Sequence, residues 1–131
     1  LFLSLPLNNR MLHTPYMTLR NEQNILFCTY ADNLVIDLEV ARHCVNNRLR
    51  FSKGVSYPLL VSLKGVRSVN KEARDYLAEE GSRLIKAGAL IISSPLTRIL
   101  GNIFLSINKP SSPARLFTDE AEAITWLKKY A

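Results

Sequence analysis

The sequence is poor in the residues that carry chemistry. Histidine occurs twice, cysteine twice and tryptophan once among 131 residues. There is no G-x-S-x-G, no phosphate-binding loop and no dinucleotide-binding glycine pattern, so the familiar signs of acyl, phosphoryl and hydride transfer are missing. His43 and Cys44 are neighbours on a predicted helix, where consecutive side chains diverge by about 100°, and they do not form a nucleophile–base pair. With no acid or cysteine at ligand spacing, His43 reads as a surface or boundary histidine. The lack of a ligand-spaced Cys/His cluster argues against structural zinc. No residue is therefore assigned as catalytic, the chain reads as non-enzymatic, and no metal or cofactor is expected. Long apolar runs are missing too, and none approaches the roughly 20 residues of a membrane helix. Leu1 to Leu7 is apolar, but it has no basic leader and no small-residue cleavage site, and Pro6 interrupts it, so it does not read as a signal peptide. Cys28 and Cys44 are then expected as free thiols in a reducing cytoplasm.

What is present suffices for one globular domain with a core of its own. Hydrophobic residues make up 47% and charged residues 21%, which excludes a disordered chain. The net charge is +6, and it is unevenly spread. Between Val40 and Lys71 stand Arg42, Arg48, Arg50, Lys53, Lys64, Arg67 and Lys71 without a single acid. Such a stretch attracts acidic partners, anionic lipid or nucleic acid, or is an ordinary solvated face. No aromatic platform or nucleic-acid motif accompanies it, which weighs against nucleic acid as the partner.

Tyr57 to Leu63 is a short apolar run opened by Pro58, as in a central strand covered on both faces. Lys64 to Asn70 is expected to turn the chain into a helix capped by Asn70. Upstream, Tyr16 to Arg20 and Ile25 to Tyr30 read as a hairpin, followed by a short extended piece, Leu34 to Ile36. Asp37 caps a helix whose expected core stripe is Leu38, Ala41, Val45 and Leu49. Ser52-Lys53-Gly54 ends it. Ala87 to Ile92 is a second buried strand, in which Gly88 and the flanking alanines leave room for a helix to pack closely. Ser93-Ser94-Pro95 starts a helix with Leu96, Ile99, Leu100, Ile103, Phe104 and Ile107 as its expected core stripe. Ala114 to Phe117 is the last strand, and Thr118-Asp119-Glu120 opens the last helix. Residues 1–15 form an arm or supply an extra strand through Leu3, Leu5 and Leu7, and residues 16–131 form one domain. The order ββαβαβαβα implies a mixed sheet, parallel in its later strands with right-handed crossovers.

This order resembles the STAS-type domains, the bacterial anti-sigma-factor antagonists. Leu63-Lys64-Gly65-Val66 followed by Asn70 at a helix start is similar to their strand–loop–helix phosphorylation segment. The C-terminal half, with Ala73-Arg74-Asp75-Tyr76-Leu77, Ser94-Pro95-Leu96, Asn108-Lys109-Pro110, Phe117-Thr118-Asp119-Glu120, Ala123 and Trp126-Leu127, resembles uncharacterised bacterial SpoIIAA-like proteins. The resemblance implies a four- or five-stranded mixed sheet with helices mainly on one side. It also implies protein–protein regulation or small-ligand binding without catalysis. Classical antagonists carry an acid followed by a phosphorylatable Ser or Thr at this helix start, whereas this chain has Asn70 and Lys71 there.

Two sets of candidate residues follow. Lys64, Arg67, Ser68, Asn70 and Lys71 could meet a protein partner or an anionic ligand at the expected helix start. Arg98, Gly101, Asn102 and Leu105 could form a flat patch for a homodimer, with Leu105 about 180° from Leu96. The function expected is a regulatory or protein-interaction module, and the alternative is a carrier of a small apolar or anionic molecule or lipid.

Overall fold

The computed structural model describes residues 10–131. Its strands are β1 (Met11–His13), β2 (Met17–Glu22), β3 (Ile25–Tyr30), β4 (Leu34–Ile36), β5 (Tyr57–Ser62), β6 (Val66–Val69), β7 (Ile85–Ile91) and β8 (Ala114–Phe117). Its α-helices are α1 (Leu38–Ser52), α2 (Lys71–Glu79), α3 (Pro95–Ile103) and α4 (Glu120–Lys128), with a 3-10 turn at Glu80–Ser82 and a π-helical turn at Phe104–Asn108. Six strands form the main sheet in the order β1-β2-β3-β5-β7-β8, and β4 pairs with β6 in a sheet of two. The first three strands are antiparallel, and β3, β5, β7 and β8 run parallel. The sheet is mixed as expected, with more strands than the four or five anticipated. The strand expected from Leu3, Leu5 and Leu7 lies outside the described residues; Met11–His13 forms the edge strand.

Local chemistry explains most boundaries. Gln23 and Asn24 both have positive φ, 54° and 63°, which is the type I′ geometry that joins twisted antiparallel strands in two residues. The Asn24 N–H donates to Asn21 Oδ1 at 3.1 Å. Asp37, Asn70, Ser94 and Asp119 each accept a backbone N–H of the helix they precede, as capping residues do. Ser94 and Thr97 form a reciprocal capping box ahead of α3, with Pro95 in the first turn.

The segment after β5 differs from the expected turn. Only Lys64 and Gly65 turn; Val66 to Val69 is a strand, parallel to Leu34–Ile36. Two β-branched residues favour extended backbone here, but the partner strand Leu34–Ile36 lies far upstream in sequence and is visible only in the fold. Gly65 has φ +96°, and a Cβ on it would stand 2.8 Å from the Ala31 carbonyl oxygen, so both backbone conformation and space require glycine.

The two faces of the main sheet are covered unequally. Helix α4 covers one face, packing Ala123 and Leu127 on Ile25, Phe27, Leu60, Ala87, Ala89 and Phe117. The opposite face carries α1, through Cys44 and Phe51 on Leu19, Leu26 and Cys28. The β4–β6 pair, α2 and Leu100 of α3 join it on that side, around Ile36, Ala41, Val66 and Ala73. Three of the four helices thus share a face. Ala87 and Ala89 are fully buried and let α4 approach. Gly88 points the other way, and a Cβ on it would have no atom within 4 Å. The room at Gly88 is not filled by a helix as expected.

Candidate functional site

The space beside Gly88 belongs to a cavity of about 140 Å³ between the sheet and α1, α2 and α3. Leu59, Val61 and Leu90 form part of its floor, and Val45, Leu77, Leu100 and Phe104 part of its cover. Val61, on a strand expected to be covered on both faces, is only half-buried because it faces this space, whereas Leu90 is buried as expected. Alternation along β5 and β7 assigns these side chains to one face, so Leu60, Ala87 and Ala89 support α4 while their neighbours border the cavity.

Arg48 of α1 lines the same cavity. The uninterrupted basic stretch had placed it on the surface, yet it is only 4% exposed. Its Nη2 donates to the Gly81 carbonyl oxygen at 3.1 Å, and its Nη1 has no hydrogen-bond partner. Burial draws its pKa down to about 10, so it remains cationic at neutral pH. The sequence did carry a sign of this. Ala41, Cys44, Val45, Arg48 and Ser52 are all buried and follow the 3–4 residue spacing of one helix face. Of the expected stripe, Ala41 and Val45 are buried, whereas Leu38 and Leu49 are half-buried and Cys44, Arg48 and Ser52 complete the inner face instead.

Cys28, Tyr30 and Cys44 also border the cavity. Both cysteines are free thiols. Burial pushes Cys28 up to about 12 and Cys44 up to about 11, so both stay protonated. Burial likewise pushes the Tyr30 phenol well up. His43 is half-buried, with its ring edge-on to Tyr16 at 4.9 Å.

The residues expected to meet a partner or anion, Lys64, Arg67, Ser68, Asn70 and Lys71, are all exposed around β6 and the start of α2. Two are engaged locally. Asn70 Oδ1 accepts the Ala73 N–H at 2.9 Å, and Lys71 Nζ donates to Asp75 Oδ2 at 2.8 Å. Asp75 also accepts from Asn108 Nδ2 at 2.6 Å. The Lys71 ammonium and these hydrogen bonds hold the Asp75 carboxyl below its usual 3.8.

The expected patch on α3 is corrected. Gly101 is buried, and its Cβ position falls 2.7 Å from Leu116 Cδ2. Leu105 is half-buried, while Arg98 and Asn102 are exposed. The expected core stripe is corrected with it. Leu96, Ile99 and Ile107 are 46%, 57% and 70% exposed. Thr97 sets the rotation of the helix: it is buried, and its hydroxyl accepts the Ser93 and Ser94 N–H groups, each at 2.9 Å. Thr97, Leu100, Gly101 and Phe104 then lie on the inner side, and Leu96, Ile99 and Ile107 turn outward.

A second, open concavity of about 380 Å³ lies between α3, β8 and α4, rimmed by Arg98, Arg115, Glu122 and Lys129. Among the described residues no cluster of three or more His, Cys, Asp or Glu side chains could hold a metal ion. No helix among them is long and apolar enough to cross a membrane.

Comparison with known proteins fits this architecture. A family model described as a domain of unknown function, DUF7793, matches residues 17–131. No curated protein matches the chain. Among solved structures, an uncharacterised DUF3478-family protein with a SpoIIAA-like fold from Shewanella loihica PV-4 superposes with a TM-score of 0.60 at 12% identity, over 90% of this chain and 99% of the other. A protein of unknown function from Arthrobacter sp. FB24 is 30% identical over 80% of this chain and 92% of its own, with a TM-score of 0.30. The fold is therefore SpoIIAA-like, as the resemblance implied.

Proposed function

We propose that this chain, which belongs to the DUF7793 family of domains of unknown function, is a non-enzymatic regulatory or protein-interaction module of the STAS type. The observation that carries this reading is the outer stripe of α3 and the turn after it, where Leu96, Ile99 and Ile107 are exposed together. Leu96 and Ile99 lie about 60° apart around α3, and Ile107 follows them in the π-helical turn Phe104–Asn108. Large aliphatics gathered on one helix face form a contact surface when a partner covers them. A second copy of the chain is the partner this reading names first, because a helix face can meet its own copy about a two-fold axis. Arg98 and Asn102 would stand at its rim. Lys64 and Arg67 form a separate basic site for an acidic partner, with Ser68, Asn70 and Lys71 beside them. Two buried free thiols support a reducing, cytoplasmic setting.

Sedimentation of the wild type beside Ile99→Asp/Ile107→Asp tests the first contact. A wild-type dimer that the double substitution dissolves supports it, and a monomeric wild type rejects a second copy as the occupant. Replacing Lys64 and Arg67 by Glu should leave that dimer intact, since they belong to the other site.

A second reading, a carrier of small molecules, is favoured by the cavity bordered by Gly88 and Arg48.

A further inference from the structure

We propose that the cavity between the sheet and helices α1 to α3 binds a small apolar monocarboxylate, with its carboxylate on Nη1 of Arg48. This rests on the carrier reading and adds the chemical class of the ligand and the residue that selects it.

Three observations converge. First, the cavity holds about 140 Å³, close to the roughly 150 Å³ at which an apolar protein cavity accepts benzene. Its apolar lining suits a compact ring or a short branched chain. Second, Gly88 keeps the floor open, since the direction a side chain would take there meets no atom within 4 Å. Third, Arg48, which is 4% exposed, is the one cation of the cavity wall among the described residues with a buried nitrogen that lacks a partner. None of the ion pairs among the described residues includes it.

A buried guanidinium without a counter-charge is costly, and a carboxylate in contact with it offsets that cost. Charge-assisted N–H···O bonds are also stronger than neutral ones. The nearby acids of the chain do not fill this role. Cys28 and Cys44 stay protonated, because burial lifts them to about 12 and 11. The other arginine in the wall, Arg74, already gives Nη1 to the Val69 carbonyl at 2.8 Å and Nε to Asn108 Oδ1 at 3.2 Å. One guanidinium nitrogen without a partner and limited volume suit one carboxylate better than a phosphate, which brings more charge and more oxygens to satisfy.

Titration of the full chain with benzoate and with benzyl alcohol, matched in size and differing in charge, tests the proposal by calorimetry at neutral pH. Benzoate should bind roughly ten-fold or more tightly than the alcohol, the ratio expected from one net charge-assisted hydrogen bond. Arg48→Met should erase the preference while benzyl alcohol binds as before. Gly88→Leu should fill the space and lose both compounds with the circular dichroism spectrum unchanged. In the wild type, benzoate and not benzyl alcohol should shift the Arg48 guanidinium resonances, a readout that holds even if Arg48→Met does not fold. Equal affinity for the two compounds, or a preference that survives Arg48→Met, overturns the assignment to Arg48 and leaves the carrier reading standing. Binding of neither compound overturns both.

Discussion

Gly101 of α3 lies against Leu116 of β8, so closely that a Cβ would stand 2.7 Å from the leucine Cδ2. The glycine is a packing device on the inner side of the helix, not part of an outer patch. Gly101→Ala should gain about 1 kcal/mol in helix propensity. It should lose about 0.5–1.5 kcal/mol in displacing the end of a flexible leucine, so urea midpoints should barely move. Gly101→Leu has nowhere to place its side chain and should cost about 1–3 kcal/mol. A Gly101→Leu protein as stable as wild type would mean that α3 sits differently on the sheet.

Leu60 and Val61 are neighbours on β5 with different costs. Leu60 is 2% exposed under α4, and Leu60→Ala should cost about 2–5 kcal/mol. Val61 borders the cavity and already lacks neighbours on one side, so Val61→Ala should cost about 1 kcal/mol or less, the transfer of two methyl-sized groups discounted for partial exposure. Chemical denaturation of the two variants checks the order; equal losses would mean that the cavity is filled.

Cys28 and Cys44 should both resist alkylation in the native protein near pH 8. Each is 5% exposed, and burial holds their pKa values near 12 and 11, so little thiolate forms. Denaturation without reductant should release two reactive thiols per chain. Mass spectrometry after alkylation counts them, and fewer than two would reveal a disulfide or another modification.

Asp75 should contribute a pH-dependent term to stability. The Lys71 ammonium and its hydrogen bond to the carboxylate, with help from Asn108, depress the pKa of Asp75 in the folded chain below its usual 3.8. A carboxyl with a depressed folded pKa stabilises above its unfolded pKa, and that contribution disappears as pH falls through the folded value. Asp75→Asn should therefore flatten the acid side of the stability profile below pH 3.8 and leave its alkaline side unchanged. The group is exposed, so added salt should weaken the effect. Thermal melts across acid pH, with and without salt, measure it; identical acid limbs for wild type and variant would rule it out.

The parts of the fold that depend on neighbours in sequence could be read without coordinates. Asp37, Asn70, Ser94 and Asp119 cap helices because each side chain reaches an N–H within three residues. The hairpin and the buried runs at Leu60 and Leu90 follow from turn chemistry and apolar patterning over a few residues. The candidate site was less legible for a specific reason. Arg48 lay on the spacing of the inner face of α1, but its charge counted as surface in any reading by composition. Only the packing of α1 against the turn at Gly81 shows that one of its guanidinium nitrogens is satisfied and another is not.

Helix α3 shows the other limit. Its sequence is apolar around more than half its circumference, so periodicity alone allows several inward faces. The Thr97 hydroxyl, bonded to the N–H groups of Ser93 and Ser94, and the contact of Gly101 with Leu116 select one. The first lies within four residues and the second joins α3 to β8. Sequence by itself determined where the helices and most strands begin and which segments are apolar. Tertiary structure decided which apolar face is buried, that Val66 to Val69 finds β4, and that Gly88 borders a space instead of a helix. Each of those outcomes depends on atoms far apart in the chain competing for the same volume, and hydrophobic periodicity carries no record of that competition.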